Sequence, residues 1–280
     1  MAAHEHLTPA QVARFHEEGL LVVPGFYDRD GEVAPVQRSI HQVIGQVMKR
    51  NGMVDSRPPF NGDDFDAGYQ GLIAVDRAFG GEVYDAVKQL PAFVRLLSTP
   101  KHEDLFRQLR PGAIPGIAAG GYGIRIDNPG EDRFRAAWHQ EYPAQLRSLD
   151  GIVFWSPLVA VTDDLGPIQF CPGSHRAGPA PVRSIPEAGK TGAYALALEN
   201  EAALLDRYPK VAPLTMPGDL VLVDFLTLHA SGANTSRRSR WSMQFRYFNF
   251  DEAVGMSHGW KGSFAAGVDF RSIHPELCAD

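Results

Sequence analysis

After Pro111 the sequence changes to short apolar or alternating runs that are separated by Gly and Pro. Runs of this length and spacing are typical of many short strands that make a sandwich or a barrel. The sequence therefore predicts a mainly β core between about residues 111 and 250. The predicted strands cover residues 122–126, 151–161, 168–170, 214–216, 220–225 and 241–250.

The first third of the chain has helical patterns instead. Thr8, Pro9 and Gln11 predict a capped helix start, and Gly19 predicts its end before a strand at 20–23. Further helices are predicted at 33–48, 82–97, 102–109 and 199–208, whereas residues 51–71 lack a clear period and predict a loop. We expect one domain over residues 1–280, with a helical part at about 7–110 packed on the β core and a tail at 251–280.

Composition excludes several classes of protein. Lys and Arg total 27 against 33 Asp and Glu, for a net charge of −6, and no basic block is long enough to follow a nucleic-acid backbone. No apolar run approaches the ~20 residues of a membrane span, and residues 1–9 do not resemble a signal peptide. Cys171 and Cys278 form neither a CxxC pair nor a disulfide framework. We expect a cytoplasmic protein, monomeric or a small homo-oligomer, without nucleic-acid or membrane partners.

A candidate metal site begins at Trp138-His139-Gln140-Glu141-Tyr142. On a strand or its end, His139 and Glu141 have the same parity and can face one cavity. His229 follows the apolar run 220–225 and offers a second imidazole. Two histidines and one carboxylate that leave open positions are typical of non-heme Fe(II) oxygenases.

Other catalytic classes lack their motifs. The sequence contains no G-x-S-x-G elbow, no GxxxxGK[ST] phosphate loop and no HExxH zinc helix. Gly121-Tyr122-Gly123 lacks the third glycine of a dinucleotide fingerprint, and Ile126 stands in its place.

Six motifs in order resemble the phytanoyl-CoA dioxygenase family of Fe(II)/2-oxoglutarate oxygenases. They are the Thr8-Pro9-x-Gln11 helix leading to Gly-Leu-Leu-Val-Val-Pro-Gly at 19–25, Trp138-His139-Gln140-Glu141, the segment 166–175 that ends in Pro-Gly-Ser-His, Pro217-Gly218-Asp219, His229-x-Ser231, and Arg240. The resemblance covers about residues 7–250.

The resemblance implies a double-stranded β-helix, a jelly-roll or cupin-like core, with flanking helices. It implies Fe(II) on His139, Glu141 and His229, with 2-oxoglutarate as cosubstrate and O2 as oxidant. Arg240 matches the family position for the distal carboxylate of 2-oxoglutarate, a task that suits a permanently charged guanidinium. Ser231 could donate a further hydrogen bond to that carboxylate.

Two other residues match family positions. Trp155 corresponds to a tryptophan near the cosubstrate, although a plain core role fits it equally well. Arg125 resembles a strand arginine that reaches the carboxylate of cosubstrate or substrate in some members.

Glu141 departs from the family, because most members carry Asp at this ligand position. A longer side chain changes the reach of the ligand but can still bind the metal. Halogenating relatives have a small residue here, so a carboxylate favours oxygen chemistry.

The sequence favours an Fe(II)- and 2-oxoglutarate-dependent dioxygenase that oxidises a C–H bond, most simply by hydroxylation. A non-catalytic cupin-like metal- or ligand-binding protein and a zinc-dependent hydrolase are the alternatives. Substrate residues are expected in loops 51–71, 111–121 and 177–200 and in the C-terminal tail. The first of these loops favours a polar or mixed small molecule, such as a metabolite or natural-product intermediate.

Overall fold

The computed structural model describes residues 6–185, 196–263 and 267–279. The α-helices are α1 (Pro9–Glu18), α2 (Ala34–Arg50), α3 (Tyr69–Val75), α4 (Arg77–Val87), α5 (Pro91–Leu97), α6 (Pro100–Leu109), α7 (Tyr142–Gln145), α8 (Glu201–Leu205), α9 (Ala253–Ser257) and α10 (Phe270–Ile273). The strands are β1 (Leu20–Val23), β2 (Pro115–Ile117), β3 (Gly123–Asp127), β4 (Gly151–Pro157), β5 (Ile168–Phe170), β6 (Val182–Ser184), β7 (Leu196–Leu198), β8 (Leu220–Asp224), β9 (His229–Ser231) and β10 (Arg240–Asn249).

Among the described residues, the named strands pair with one another in antiparallel fashion. The large sheet has the order β1-β8-β4-β10-β2, and β3 also pairs with β10. Two small sheets, β5-β9 and β6-β7, complete the strand pairing of the described residues. The result is a mixed helix and strand structure in which, as the sequence predicts, helices occupy most of the first 109 residues and nearly all strands follow them.

The large sheet has two different faces, because side chains alternate along a strand. On β10, the odd-numbered residues from Trp241 to Tyr247 lie in a hydrophobic core with side chains of α2, α4, α5 and α6. The even-numbered residues Arg240, Gln244 and Arg246 line a cavity on the opposite face. We call these the helical face and the cavity face.

Several predicted elements are confirmed. Thr8 and Gln11 form a capping box, Gly19 ends α1 with a left-handed φ of 66°, and β1 has the predicted bounds.

The predicted helix at 82–97 is interrupted before Pro91, where α5 begins. The predicted loop at 51–71 contains the start of α3.

Other predictions about the elements are wrong or incomplete. Residues 214–216 do not form a strand, whereas β2, β6 and β7 were not expected. The predicted helix at 199–208 is the shorter α8. Part of the predicted loop 177–200, residues 186–195, lies outside the described residues.

Within the described ranges, no helix combines the length and apolarity needed to cross a bilayer.

Candidate metal centre

Backbone pairing brings His139 to His229. The two residues form an isolated antiparallel bridge in which each N–H donates to the other's carbonyl oxygen at 3.0 Å. Their ring centroids lie 4.2 Å apart. Although 90 positions separate them in sequence, these two backbone hydrogen bonds hold His139 and His229 side by side.

Both imidazoles are oriented in the same way. Nδ1 of His139 lies 2.8 Å from the carbonyl oxygen of Ala137, and Nδ1 of His229 lies 2.9 Å from that of Thr227. When Nδ1 carries the proton and donates it to a carbonyl oxygen, the lone pair on Nε2 is free to bind a metal. This is the usual arrangement of metal-binding histidines. Burial lowers the pKa of both rings, and together with the neighbouring His139 it lowers that of His229 to about 3. Both rings are therefore neutral near pH 7, as metal binding requires.

Glu141 reaches the two histidines by a different route from the one predicted. Its backbone is helical (φ −71°, ψ −34°) and precedes α7, so the strand parity of His139 and Glu141 does not apply. The N–H groups of Glu141 and Tyr142 instead both donate to the carbonyl oxygen of Phe225, at 2.9 and 3.1 Å. Ligand atoms of His139, Glu141 and His229 all lie within 4.8 Å of one another.

Two side chains hold the Glu141 carboxylate, which is 3% exposed. Arg246 donates from Nε to Oε1 at 2.6 Å and from Nη2 to Oε2 at 3.3 Å, and Gln145 donates to Oε1 at 3.2 Å. Burial alone would raise the pKa of Glu141, but the Arg246 charge and hydrogen bond outweigh it and lower that pKa to about 2. The carboxylate is therefore ionised and fixed in orientation. Arg246 lies on the cavity face with Arg240, and none of the sequence motifs indicated this role.

Arg240 is 1% exposed on the cavity face. Its Nη2 donates to Asp127 Oδ2 at 2.9 Å and to Ser231 Oγ at 3.2 Å. Its Nε and Nη1 find no hydrogen-bond partner among the described residues. Buried N–H groups are normally paired, so these donors indicate that a ligand completes the site.

Asp127 was not expected at the site. Directly across from Arg240 in the β3–β10 register, it also accepts from Arg125 Nε at 2.8 Å. Burial would raise the pKa of Asp127, yet the Arg125 and Arg240 charges lower it. Cross-strand register, which the sequence does not specify, puts it there.

Arg125 and Trp155 both line the cavity. Besides Asp127, Arg125 contacts the carbonyl oxygen of Phe134 through Nη2 at 2.8 Å. Trp155 is buried, and its Nε1 has no hydrogen-bond partner in the part of the chain that the structure describes.

The cavity has a volume of about 270 Å³ and connects all seven residues singled out from the sequence: His139, Glu141, His229, Arg125, Trp155, Ser231 and Arg240. The predicted substrate loops contribute less than expected. Ile185 and Leu196 come from 177–200, but no described residue of 51–71 or 111–121 lines this cavity. Arg133 and Arg135, which precede the metal site in sequence, line it instead.

Two neutral imidazoles and an anionic carboxylate form a donor set suited to a divalent transition metal with open positions. The buried donors of Arg240 in the same cavity suit a carboxylate ligand. The residues therefore fit an iron and a 2-oxo acid together.

The phytanoyl-CoA dioxygenase (PhyH) family model matches residues 15–242. The chain belongs to this family, and it is a 2-oxoglutarate-dependent non-heme iron dioxygenase. No curated protein sequence gives a significant match.

Solved structures share the fold at low sequence identity. The non-heme alpha ketoglutarate dependent epimerase SnoN from nogalamycin biosynthesis is 18% identical, with 93% of this chain and 90% of that chain covered and a TM-score of 0.54. The carbocyclase SnoK from the same biosynthesis is 18% identical, over 87% of this chain and 85% of that chain, with a TM-score of 0.54. EctD from S. alaskensis with 2-oxoglutarate and 5-hydroxyectoine is 19% identical, over 87% of this chain and 76% of that chain, with a TM-score of 0.56.

Proposed function

We propose that this protein hydroxylates a C–H bond of a small molecule, consuming O2 and 2-oxoglutarate and releasing succinate and CO2. The observation that carries the proposal is a single cavity lined by the three ligand side chains and by the buried, incompletely paired Arg240. The family membership and the fold of the solved relatives support the same reaction class.

His139, Glu141 and His229 hold Fe(II) in this proposal. Arg240 and Ser231 bind the distal carboxylate of 2-oxoglutarate, while Asp127 fixes the Arg240 guanidinium from the other side. Bound together, iron, 2-oxoglutarate and O2 supply the oxidant that removes hydrogen from the substrate. The protein contributes by orienting these groups and by keeping the carboxylate of Glu141 ionised through Arg246.

Trp155 and Arg125 have less direct roles. The indole N–H of Trp155, unpartnered among the described residues, is a donor for the bound cosubstrate. Arg125 acts through Asp127, which it shares with Arg240. We further propose that the large sheet and β5-β9 are the two halves of a double-stranded β-helix, that residues 1–280 form one domain, and that the enzyme acts in the cytoplasm.

Succinate release tests the proposal. The wild-type protein is reconstituted with Fe(II) without oxygen, supplied with 2-oxoglutarate and exposed to air, with and without candidate substrates. We expect iron-dependent succinate, loss of that succinate in His139→Ala, and a large rise in the 2-oxoglutarate requirement in Arg240→Ala with iron binding retained. Arg95→Ala, which removes an exposed arginine of α5, is the control and is expected to match wild type.

Absence of iron-dependent succinate in the wild type with every substrate would favour a binding protein. Turnover of a substrate without oxygen, with zinc at the same ligands, would favour a hydrolase. An unchanged 2-oxoglutarate requirement in Arg240→Ala would contradict the role of Arg240.

A further inference from the structure

Arginines dominate the described lining of the cavity. Arg125, Arg133, Arg135, Arg240 and Arg246 line it, against the acidic residues Asp132 and Glu141. The charges of Fe(II) and of doubly ionised 2-oxoglutarate cancel, so the lining keeps an excess of three positive charges when both are bound. Asp127, which lies behind the lining, reduces this excess by one. The loaded site therefore remains attractive to an anion.

Three of these arginines have other tasks. Arg246 donates to Glu141, Gly121 and Gln244, and Arg125 donates to Asp127 and to the Phe134 carbonyl oxygen. In the proposed function Arg240 is occupied by the cosubstrate. Arg133 and Arg135 are the two lining arginines to which the proposed function gives no role.

Arg133 and Arg135 are poorly satisfied by the protein itself. Among the described residues, Arg133 has no hydrogen bond or ion pair. Its side chain is exposed, its guanidinium lies over the Phe134 ring, 4.5 Å from the centroid, and its charge contributes to the lowered pKa of Glu131. Arg135 donates to Asp132 at 2.9 Å and more distantly to the Ser231 carbonyl oxygen at 3.4 Å. The Asp132 side chain is 73% exposed, and such surface pairs contribute little to stability and are readily exchanged.

The segment that carries these two arginines is well anchored. Glu131 accepts from Arg77 Nη2 at 2.8 Å and from Asn128 at 2.9 Å. At the other end of the segment, the carbonyl oxygen of Ala136 accepts from the N–H of Ser231 at 3.0 Å. Ser231 lies two residues after His229, the proposed metal ligand. Charged groups on an anchored segment beside the metal site are preorganised for a ligand.

The remaining wall of the cavity is apolar. Ile168 and Phe170 of β5, with Ile185 and Leu196, line it together with the Trp155 ring. A ligand that satisfies both walls carries an anionic group at one end and an apolar body at the other.

We propose, on the basis of the proposed function, that the substrate is a small organic acid, a carboxylate or a phosphate ester, whose anionic oxygens bind Arg133 and Arg135 while its apolar body lies on the β5 side. The anionic oxygens take the place of Asp132 on Arg135. This arrangement presents the apolar body, which carries the C–H bond to be oxidised, to the metal centre. A neutral analogue of the same shape would give neither guanidinium group an anionic partner, so it should bind more weakly.

The test compares acids with their own amides. Protein loaded with 2-oxoglutarate and with Mn(II) in place of Fe(II), which prevents turnover, is titrated by calorimetry with benzoate, phenylacetate and 3-phenylpropionate, with the three corresponding amides, and with phenyl phosphate. We expect at least one of the acids to bind at least tenfold more tightly than its amide or, for phenyl phosphate, than benzamide. In Arg133→Gln/Arg135→Gln the preference is expected to fall to less than threefold, while 2-oxoglutarate binding is retained.

The control is Lys49→Gln/Arg95→Gln, which removes two exposed positive charges outside the cavity lining and is expected to keep the preference. Equal binding of every acid and its amide in the wild type, including no binding of either, overturns the inference. A preference that survives in Arg133→Gln/Arg135→Gln, or that disappears in the control, also overturns it. Failure of the proposed function can be distinguished from failure of this inference. If the proposed function is wrong, the wild type binds no 2-oxoglutarate and forms no succinate with Fe(II).

Discussion

The helical face and the cavity face of the large sheet share the same strands but have opposite chemistry. On β10, Trp241, Met243 and Phe245 are completely buried among apolar side chains on one face. On the other face, Arg240 is equally buried yet keeps N–H groups that no described residue accepts. The helical face is a packed apolar core, whereas the cavity face carries buried guanidinium donors that a ligand would satisfy. The sheet thus separates the packed core from the residues that we propose to hold the metal and the cosubstrate.

Replacement of a core residue on the helical face is expected to have the largest effect on stability. Phe245 stacks on Phe93 with ring centroids 5.3 Å apart and is fully buried. We expect Phe245→Ala to lower the free energy of unfolding by about 3–5 kcal/mol, because it leaves a cavity in a packed core. Ser242→Ala, on the other face of the same strand, is expected to change it by less than about 0.5 kcal/mol, since the Ser242 hydroxyl has no partner among the described residues. Urea titration measures both, and equal losses would erase the contrast between the faces.

Arg246 is expected to control metal binding without contacting the metal. We expect Arg246→Lys to weaken iron binding by roughly 10–100-fold, as is usual when a residue that orients a ligand is changed, because a single ammonium cannot replace both contacts to Glu141. Anaerobic Fe(II) titration measures the affinity. Arg95→Lys is the control, and an unchanged affinity in Arg246→Lys would show that Glu141 is positioned without Arg246.

Glu141→Asp tests the departure from the family more gently. The shorter side chain withdraws from Arg246 and Gln145, so we expect succinate formation to fall by roughly tenfold rather than to vanish. Glu141→Ala is expected to lose almost all activity, because the iron loses its anionic ligand. Full activity of Glu141→Asp would mean that the extra methylene has no function, and chlorination by Glu141→Ala with added chloride would support the ligand geometry.

His102 gives the helical face a dependence on pH. It is buried against Phe154 and Phe245, its Nε2 lies 2.6 Å from the Tyr27 hydroxyl, and burial lowers its pKa to about 3. Below pH 6.5 the unfolded chain binds a proton that the folded chain does not, so stability falls as the pH falls, by at most about 1.4 kcal/mol per pH unit. In His102→Phe we expect this dependence between pH 6.5 and 5 to be flatter than in the metal-free wild type. An identical slope would show that His102 is protonated in the folded state.

The sequence predicted the parts of the molecule that local rules determine. The capping box of α1, the Gly19 stop and the alternation of β10 follow from residue types at short range. The convergence of His139, Glu141, His229 and Arg240 followed from the ordered family motifs.

The failures have physical causes that lie beyond local sequence. Residues 214–216 are flanked by Pro213 and Pro217, which lack N–H donors for a ladder, and two of the three side chains are exposed. The placement of Asp127 depends on the β3–β10 register, and that of Arg133 depends on contacts of its segment with Arg125 and β9. Their local sequence alone indicates only a charged, exposed loop.

The most direct test of the central claim is an anaerobic titration of the Fe(II)-loaded protein with 2-oxoglutarate, followed by the charge-transfer absorption of the chelated iron. We predict a band that saturates at one 2-oxoglutarate per chain in the wild type, is absent in His229→Ala and needs far more 2-oxoglutarate in Arg240→Ala. Absence of the band in the wild type, or an unchanged titration in both variants, would contradict a metal site built from His139, Glu141 and His229 with Arg240 as its carboxylate partner.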